Sequence, residues 1–515
     1  MPEEITWSPL TDSLHFSALA IGSSQENKGQ DITADTNGNI YVTGNFKGSA
    51  DFGSVNMSAV TTDVYIVKYN AQGNMLWAVQ GASTAFASGM GIALDDLGNV
   101  YITGSFHGVL NFSGHVLTSS GCSDIFVLKL NSSGAFQWLK QAGGADCDYG
   151  QSIAVSGASV YVTGSFKVSA TFGGSDISSS GSNYFLTKLS TTDGSFQWVR
   201  QANGASDGIG YSIAADISGN VYTTGNFKGN ASFGPFSLSS IASTGELFFT
   251  KYDASGNVLW AEKGSSTYAA GNSIVVDDQG NLYLAGVFRS SLNVKGQSLT
   301  SSPAGADNGF VLKIDNLGNV SWIKQISSDL VFINDMSLDA SSNVAFIGTF
   351  FGSGSINIGG TSVPSSGDFF EVYSGAFSSD GQLNWAYTAG ETGIDSDYGY
   401  GISFSGSSGI CMTGSFEGTI RFGSTVLSTT SINTFVAYAD IIPENTGPGC
   451  SENLVLSSVI TSSQKANRTI TTSGVNTIQP SSNVTYQAGN YVQLNPGFST
   501  GTNSVFMTKL LAGCQ

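Results

Sequence analysis

One eight-residue phrase recurs along this chain, and its spacing constrains the fold more than any other feature. It reads NIYVTGNF from Asn39, NVYITGSF from Asn99, SVYVTGSF from Ser159 and NVYTTGNF from Asn220. It then drifts to NLYLAGVF from Asn281, NVAFIGTF from Asn343 and GICMTGSF from Gly409. Its glycine falls at 44, 104, 164, 225, 286, 348 and 414, steps of 60 to 66 residues. Repetition on this scale marks an array of one supersecondary unit, each copy burying its apolar face against the next.

Inside a copy the apolar period is two, the period of a strand. In the second copy, residues 91–95, 99–106, 124–130 and 136–141 read as four antiparallel strands, one propeller blade. A tryptophan recurs in the fourth strand as Trp77, Trp138, Trp198, Trp260, Trp322 and Trp385, and reads as core filler between adjacent blades. The glycine of the phrase reads as a close approach of neighbouring sheets. The seventh copy lacks a fourth strand, whereas residues 15–20 (HFSALA) resemble one, and Phe16 stands 61 residues before Trp77. The expectation is an all-β fold, a seven-bladed β-propeller closed by the N-terminal strand. Residues 14–21 would be essential to it and residues 1–13 dispensable.

The pattern G-x-S-I-A-x-D-x-x-G-N-x-Y-V-T-G-S-F resembles the bacterial SBBP repeat, a β-propeller repeat of secreted proteins, over about residues 14–440. The tail differs. Its run from Val484 to Cys514 resembles the three-coathanger-stack segment near the C-termini of Bacteroidetes surface proteins. That likeness implies export by the type IX route. The organisation read here is a propeller over 1–442, a linker over 443–449 and a small β domain over 450–515.

Charge excludes one class of partner. The formal net charge is −18, with 19 Lys plus Arg against 37 Asp plus Glu, so no clustered basic surface for nucleic acid exists. No apolar run is long enough to insert into a membrane as a helix. The start, Met1-Pro2-Glu3-Glu4, has no basic region followed by an apolar stretch, and reads either as a chain without a signal peptide or, as the cysteines and the resemblance favour, as a mature or engineered form with a start Met added. The five cysteines point outside the cell. Cys450 and Cys514 bracket the tail, and Cys122 and Cys147 emerge at one edge of the ring, so both pairs are expected as disulfides. Cys411 replaces the blade tyrosine and reads as a buried, unreactive thiol.

Catalytic and metal signatures are missing from the pattern. The three histidines, His15, His107 and His115, lack metal-ligand spacing. Acid pairs such as Asp95–Asp96 and Asp277–Asp278 precede Gly-Asn turns and read as hairpins in which Asp and Asn bond their own backbone. A structural calcium is the alternative reading there, but the closing bidentate Glu is missing, so no cofactor is expected. Turns between strands one and two and between three and four read as short, whereas the segments between strands two and three and from strand four to the next blade read as long loops on the opposite face, and function is expected on that long-loop face. There the residue after each first-strand glycine should line the channel mouth: Gln30, Met90, Gln151, Tyr211, Asn272, Asn334 and Tyr400, with Asp148, Tyr149, Asp397 and Tyr398 around them. Amide, aromatic and carboxylate groups suit a sugar. The leading reading is a secreted or outer-surface binding or adhesion module, monomeric or within a surface complex, for a glycan or surface protein. The alternatives are a structural component or cargo of the type IX machinery, and a propeller enzyme acting on polysaccharide. An enzyme would show desolvated acids converging in the channel, and a binder an open, aromatic-floored mouth.

Overall fold

The computed structural model describes residues 14–441 apart from 353, 366–368, 392–394 and 407–408, together with the strands between 451 and 510. Every regular element among the described residues is a β-strand, and the architecture is propeller-like. The chain divides into two compact units, the larger including Phe16–Asp440 and the smaller Ile441–Gln515.

Repeat three shows the unit of the larger part in full. Tyr149–Ser156, Ser159–Phe172, Ser175–Ser190 and Phe196–Gln201 form one antiparallel sheet in chain order. The middle strands are buried on both faces. In repeat two every residue from Val100 to Phe106 is buried, and so is all of Asp124–Leu130 except Lys129. Sheets covered on both sides carry continuous apolar runs, so the period of two is weak in the recurring phrase itself.

The segment between strands two and three, expected as a long loop, is instead a hairpin. In repeat three the two strands simply lengthen until Phe172 pairs with Ser175. In repeat two a separate hairpin forms from Val109–Phe112 and His115–Thr118. The hairpin adds to the end of strand four of the preceding repeat. Asn111 pairs with Ala82, Thr171 with Gly143, Ser232 with Asn203, Asn293 with Ser265 and Ile358 with Ile326. The N-terminal strand Leu14–Ser23 makes the same contact. Gly22 pairs with Asp51 of repeat one, and the strand lies beside Asn433–Ile441.

The recurring glycine has a different cause from the one expected. A Cβ at Gly44 would strike the carbonyl oxygen of Lys28, on the first strand of the same unit. Gly104, Gly164, Gly225, Gly286, Gly348 and Gly414 meet the corresponding carbonyl in their own units. The approach between neighbouring repeats falls on the partner glycine instead, where Gly29 lies against Thr413 and Thr434. Repeat six carries Ile333 at that place. The preceding repeat has Ala285 where repeats one to four and seven have threonine, and the Ala285 and Ile333 side chains pack in one cluster.

The tryptophans bridge neighbours, as expected, but only Trp138 and Trp385 are buried. Trp77, Trp138 and Trp322 donate their indole N–H to turn carbonyls of the next repeat, at Ser132, Thr191 and Ser379. They clasp the seams more than they fill the core. The Asp-x-x-Gly-Asn turns spend their carboxylates locally. Asp95 accepts from the backbone N–H of Leu97 and Asn99, from the Asn99 amide and from the Tyr101 hydroxyl.

Cys122 and Cys147 form a disulfide, and Cys411 is buried, its thiol pushed upward by burial. Cys450 and Cys514 lie outside the described residues. Replacing Cys122 and Cys147 by serine should cost about 3 kcal/mol, since the bridge closes a loop 25 residues long. Denaturant midpoints with and without reductant check this. An identical midpoint for wild type and double variant would reject it.

The smaller unit pairs its strands in parallel. Gln464 pairs with Tyr486, Asn476 with Phe498 and Asn483 with Val505, each 22 positions further on. The first strands pair at a shorter offset, Ser451 with Ala466 and Val459 with Thr477, but parallel pairing that then repeats at one offset is the signature of a short solenoid, more specific than the small β domain expected.

Candidate functional site

The first strands of successive repeats are one another's neighbours. Asp31 Oδ2 accepts from the Ile92 N–H (2.8 Å), and Gly91 abuts Ser152. Ser156 donates to the Asp216 carbonyl, while Ser212 accepts from Ile274. Ser273 accepts from Met336, Asp335 from Ile402 (2.9 Å), and Gly401 abuts Asp31 and Ile32. A side-chain bond thus stitches five of the seven junctions between inner strands, and a glycine packs closely at the other two.

Just before that stitch, every first strand carries a bulge. Gly29 pairs with Gly44 and Asp31 with Thr43, which leaves Gln30 without a partner in the ladder. The same skip falls at Met90, Gln151, Tyr211, Asn272, Asn334 and Tyr400. These are the residues that the sequence assigned to the mouth. A bulge re-aims the extra side chain away from the alternating pattern, and all seven are half-buried. The bulge also pushes the preceding carbonyl toward strand two, which is why glycine recurs there.

The seven are not equally free. Asn272 donates to the Ile333 carbonyl (2.8 Å) and Asn334 to the Gly399 carbonyl (2.7 Å), so both amides help to stitch repeats five to seven. The Gln30 amide points at Asn45 at 3.5 Å. Burial pushes the Tyr211 hydroxyl up to about 12, with Tyr268 close by. Tyr400 is also pushed upward by burial, and its ring lies parallel to that of Tyr398, 6.1 Å away. Tyr149 is 38% exposed.

Asp148 and Asp397 do not face solvent. Asp148 is fully buried and accepts from the backbone N–H of Gly144 and Lys167. Burial, with Asp124 and Asp146 nearby, holds it up at about 6. Asp397 is buried beside Glu371, Asp395 and Glu417, and burial first, then those charges, raise it to about 8. Both are seam carboxylates at equivalent positions, two residues before the first-strand glycine.

Asp31 and Asp335 went unremarked in the sequence. Both are half-buried, with protein around them on the inner strands. Burial raises Asp335 to about 7, and burial together with the charge of Asp335 raises Asp31 well above the ordinary carboxylate range. Comparing the copies would have found them, since the same position holds glycine or serine elsewhere (Gly91, Ser152, Ser212, Ser273, Gly401). A separate groove lies at the short-turn end, lined by Asp95, Leu97, Lys129 and Ile217. Among the described residues no cluster of three or more His, Cys, Asp or Glu is placed to hold a metal.

Residues 16–45 and 197–230 match the SBBP beta-propeller repeat family. An uncharacterized WD repeat-containing protein of Acanthamoeba polyphaga mimivirus is 25% identical over 405 residues, 62% of this chain and 29% of the relative. The chain thus spans under a third of that relative's length. Among solved structures, a quinohemoprotein alcohol dehydrogenase from Pseudomonas putida HK5 aligns with TM-score 0.39 and 11% identity, covering 87% of this chain and 81% of that one. The corresponding enzyme from Comamonas testosteroni aligns with TM-score 0.36 and 10% identity over 82% and 76%. With its recurrent four-stranded sheets and its two repeat matches, the chain is a β-propeller repeat protein.

Proposed function

We propose that the larger part is a seven-bladed propeller, closed by Leu14–Ser23 standing in for the missing fourth strand, and that it works as a secreted or outer-surface binding module for a glycan or surface protein. Residues 1–442 would be the propeller, 443–449 the linker and 450–515 a small domain of the coathanger type from a type IX-exported Bacteroidetes protein. Closure is supported by the unbroken cycle of inner-strand contacts from repeat one back to repeat one. The disulfide supports an oxidising compartment.

One observation carries the binding reading: seven bulges at seven equivalent positions, each turning out a side chain at the same end. Asn272 and Asn334 spend their amides on carbonyls of neighbouring repeats, but stitching of that kind does not account for the bulges at the other five positions. The enzyme reading draws on Asp31 and Asp335, but each already accepts backbone N–H groups that join neighbouring strands. That favours a stitching role over proton transfer. A glycan array probed with labelled full chain tests the proposal. Binding should fall at least tenfold in the paired variant Gln30→Arg/Gln151→Arg and persist in Leu97→Asp at the opposite end. Signal lost only in Leu97→Asp would reject the site.

A further inference from the structure

Aromatic side chains gather in one sector of the long-loop end. Phe351 closes strand two of repeat six (Val344–Phe351), Phe370 opens strand three (Phe370–Phe377) and Phe369 precedes it. Tyr398 opens the first strand of repeat seven (Tyr398–Ser405), and Tyr400 is its bulge residue. The five rings touch in file. Phe369 to Phe351 is 6.3 Å between centroids, Phe351 to Phe370 5.5 Å, Phe370 to Tyr398 5.5 Å and Tyr398 to Tyr400 6.1 Å. The last two pairs are near parallel, at 26° and 3°. Phe351 is 36% exposed and Phe369 39%.

The repeat itself shows that this is no feature of the scaffold. Where repeat six has Phe351, the other copies have Lys47, His107, Lys167, Lys228, Arg289 and Glu417, all polar. The cross-strand partner of Phe351 is Phe370, whereas that of Lys167 is Ser182 and that of Arg289 is Asp307. Repeat six therefore trades a polar pair for two phenylalanines at an edge where burial does not demand them.

We propose that this track binds a neutral polysaccharide, an inference that rests on the long-loop end being the binding face. The exposed Phe351 and Phe369 offer apolar surface to an extended ligand whose own faces are apolar and whose edges carry hydroxyls, and the half-buried rings behind them continue that surface toward the bulge residue Tyr400. Polar groups stand at the inner end. Lys28 acts electrostatically on Tyr398 and Tyr400, and its ammonium meets the Glu26 carboxylate at 2.7 Å, so both donor and acceptor border the rings. Glu371, Asp395, Asp397 and Glu417 lie nearby in a chain of net charge −18, which disfavours phosphate, sulfate or uronate polymers.

Affinity electrophoresis of the full chain tests this, in gels containing laminarin, hydroxyethyl cellulose, galactomannan or polygalacturonate. At least one neutral polymer should retard the protein, and polygalacturonate should not. The paired variant Phe351→Lys/Phe370→Ser restores residues that repeat three carries at those places, so the fold should tolerate it. It should weaken retardation at least tenfold with an unchanged melting midpoint, and Tyr398→Ala should weaken it too. Retardation lost in Tyr211→Ala alone would leave the mouth as the site and sink the track. Retardation by polygalacturonate alone would overturn the ligand class. No retardation in any gel, with binding to a surface-protein extract that Gln30→Arg/Gln151→Arg abolishes, would overturn this inference while sparing the mouth. Silence of both would sink the two together.

Discussion

A chain starting at residue 24 should fail to unfold cooperatively near the wild-type midpoint, or should aggregate on purification. Leu14–Ser23 lies between the first repeat and Asn433–Ile441, and its loss leaves two open edges. Ile21 is fully buried, and Leu19 packs on the cluster shared by repeats one and seven. Phe16 lies 4.4 Å from the Tyr387 ring and 6.0 Å from Phe422. Polar contacts join both sides. The Ser23 N–H donates to Asn433 Oδ1, Ser431 donates to the Ser23 carbonyl, and the Ser23 hydroxyl donates to the Lys47 carbonyl. Fully burying one large aliphatic side chain contributes about 1.5–3 kcal/mol, so Ile21, the half-buried Phe16 and Leu19 and a hydrogen-bonded strand together make up a large part of the roughly 5–15 kcal/mol margin of a folded domain. Thermal unfolding by circular dichroism and light scattering reads the outcome. A truncated chain with the full-length midpoint would refute the closing role of this strand.

The repeat made most of this fold legible because one phrase, seven times over, reports the same local environment. Strand positions, the disulfide between Cys122 and Cys147 and the place of the tryptophans all follow from it. What the phrase could not convey was the bulge. It depends on ladder register, which the pattern of apolar residues leaves open by one position. Missing it misassigned the glycine at 44 to a contact between sheets, and it left unseen that the seven residues after the first-strand glycine are the bulge residues themselves. The polar run between strands two and three looked like a loop because a hairpin exposed on one face carries few large apolar residues. Phe351 and Phe370 were visible as departures from the repeat, but only pairing shows that they face each other. Asp148 and Asp397 were placed near the mouth by sequence position alone, which cannot tell a surface acid from one turned into a seam.

Asp335→Asn should raise stability at pH 8 and leave it unchanged at pH 4. The ordinary aspartate value is 3.8, and Asp335 in the folded protein stands at about 7 because burial penalises its charge. Between these values the native state binds more protons than the unfolded state. Stability contributed by this group is therefore full at low pH and is lost as pH rises from about 4 to 7. A tenfold change in proton affinity is worth about 1.4 kcal/mol. Discounted for the water that still reaches this half-buried carboxyl, its ionisation costs about 2–4 kcal/mol. Asparagine keeps the bond to repeat seven and can reverse the one to Ser273. Its amide oxygen can accept from the Ile402 N–H, and its amide can donate to Ser273, whose hydroxyl has a second lone pair beyond the one taken by Met336. Neutralising Asp335 also removes the charge that helps to raise Asp31, so Asp31→Asn added to it should yield less than the sum of the two singles. Asp397, raised to about 8, keeps its own pH dependence in every variant. The informative quantity is therefore the difference between variant and wild type at each pH. That difference, read as denaturant midpoints from pH 4 to 8, should open above pH 4 and level off near pH 8. A constant gap, or a variant weaker at pH 8, would mean that the charge on Asp335 is compensated by a partner within the ring.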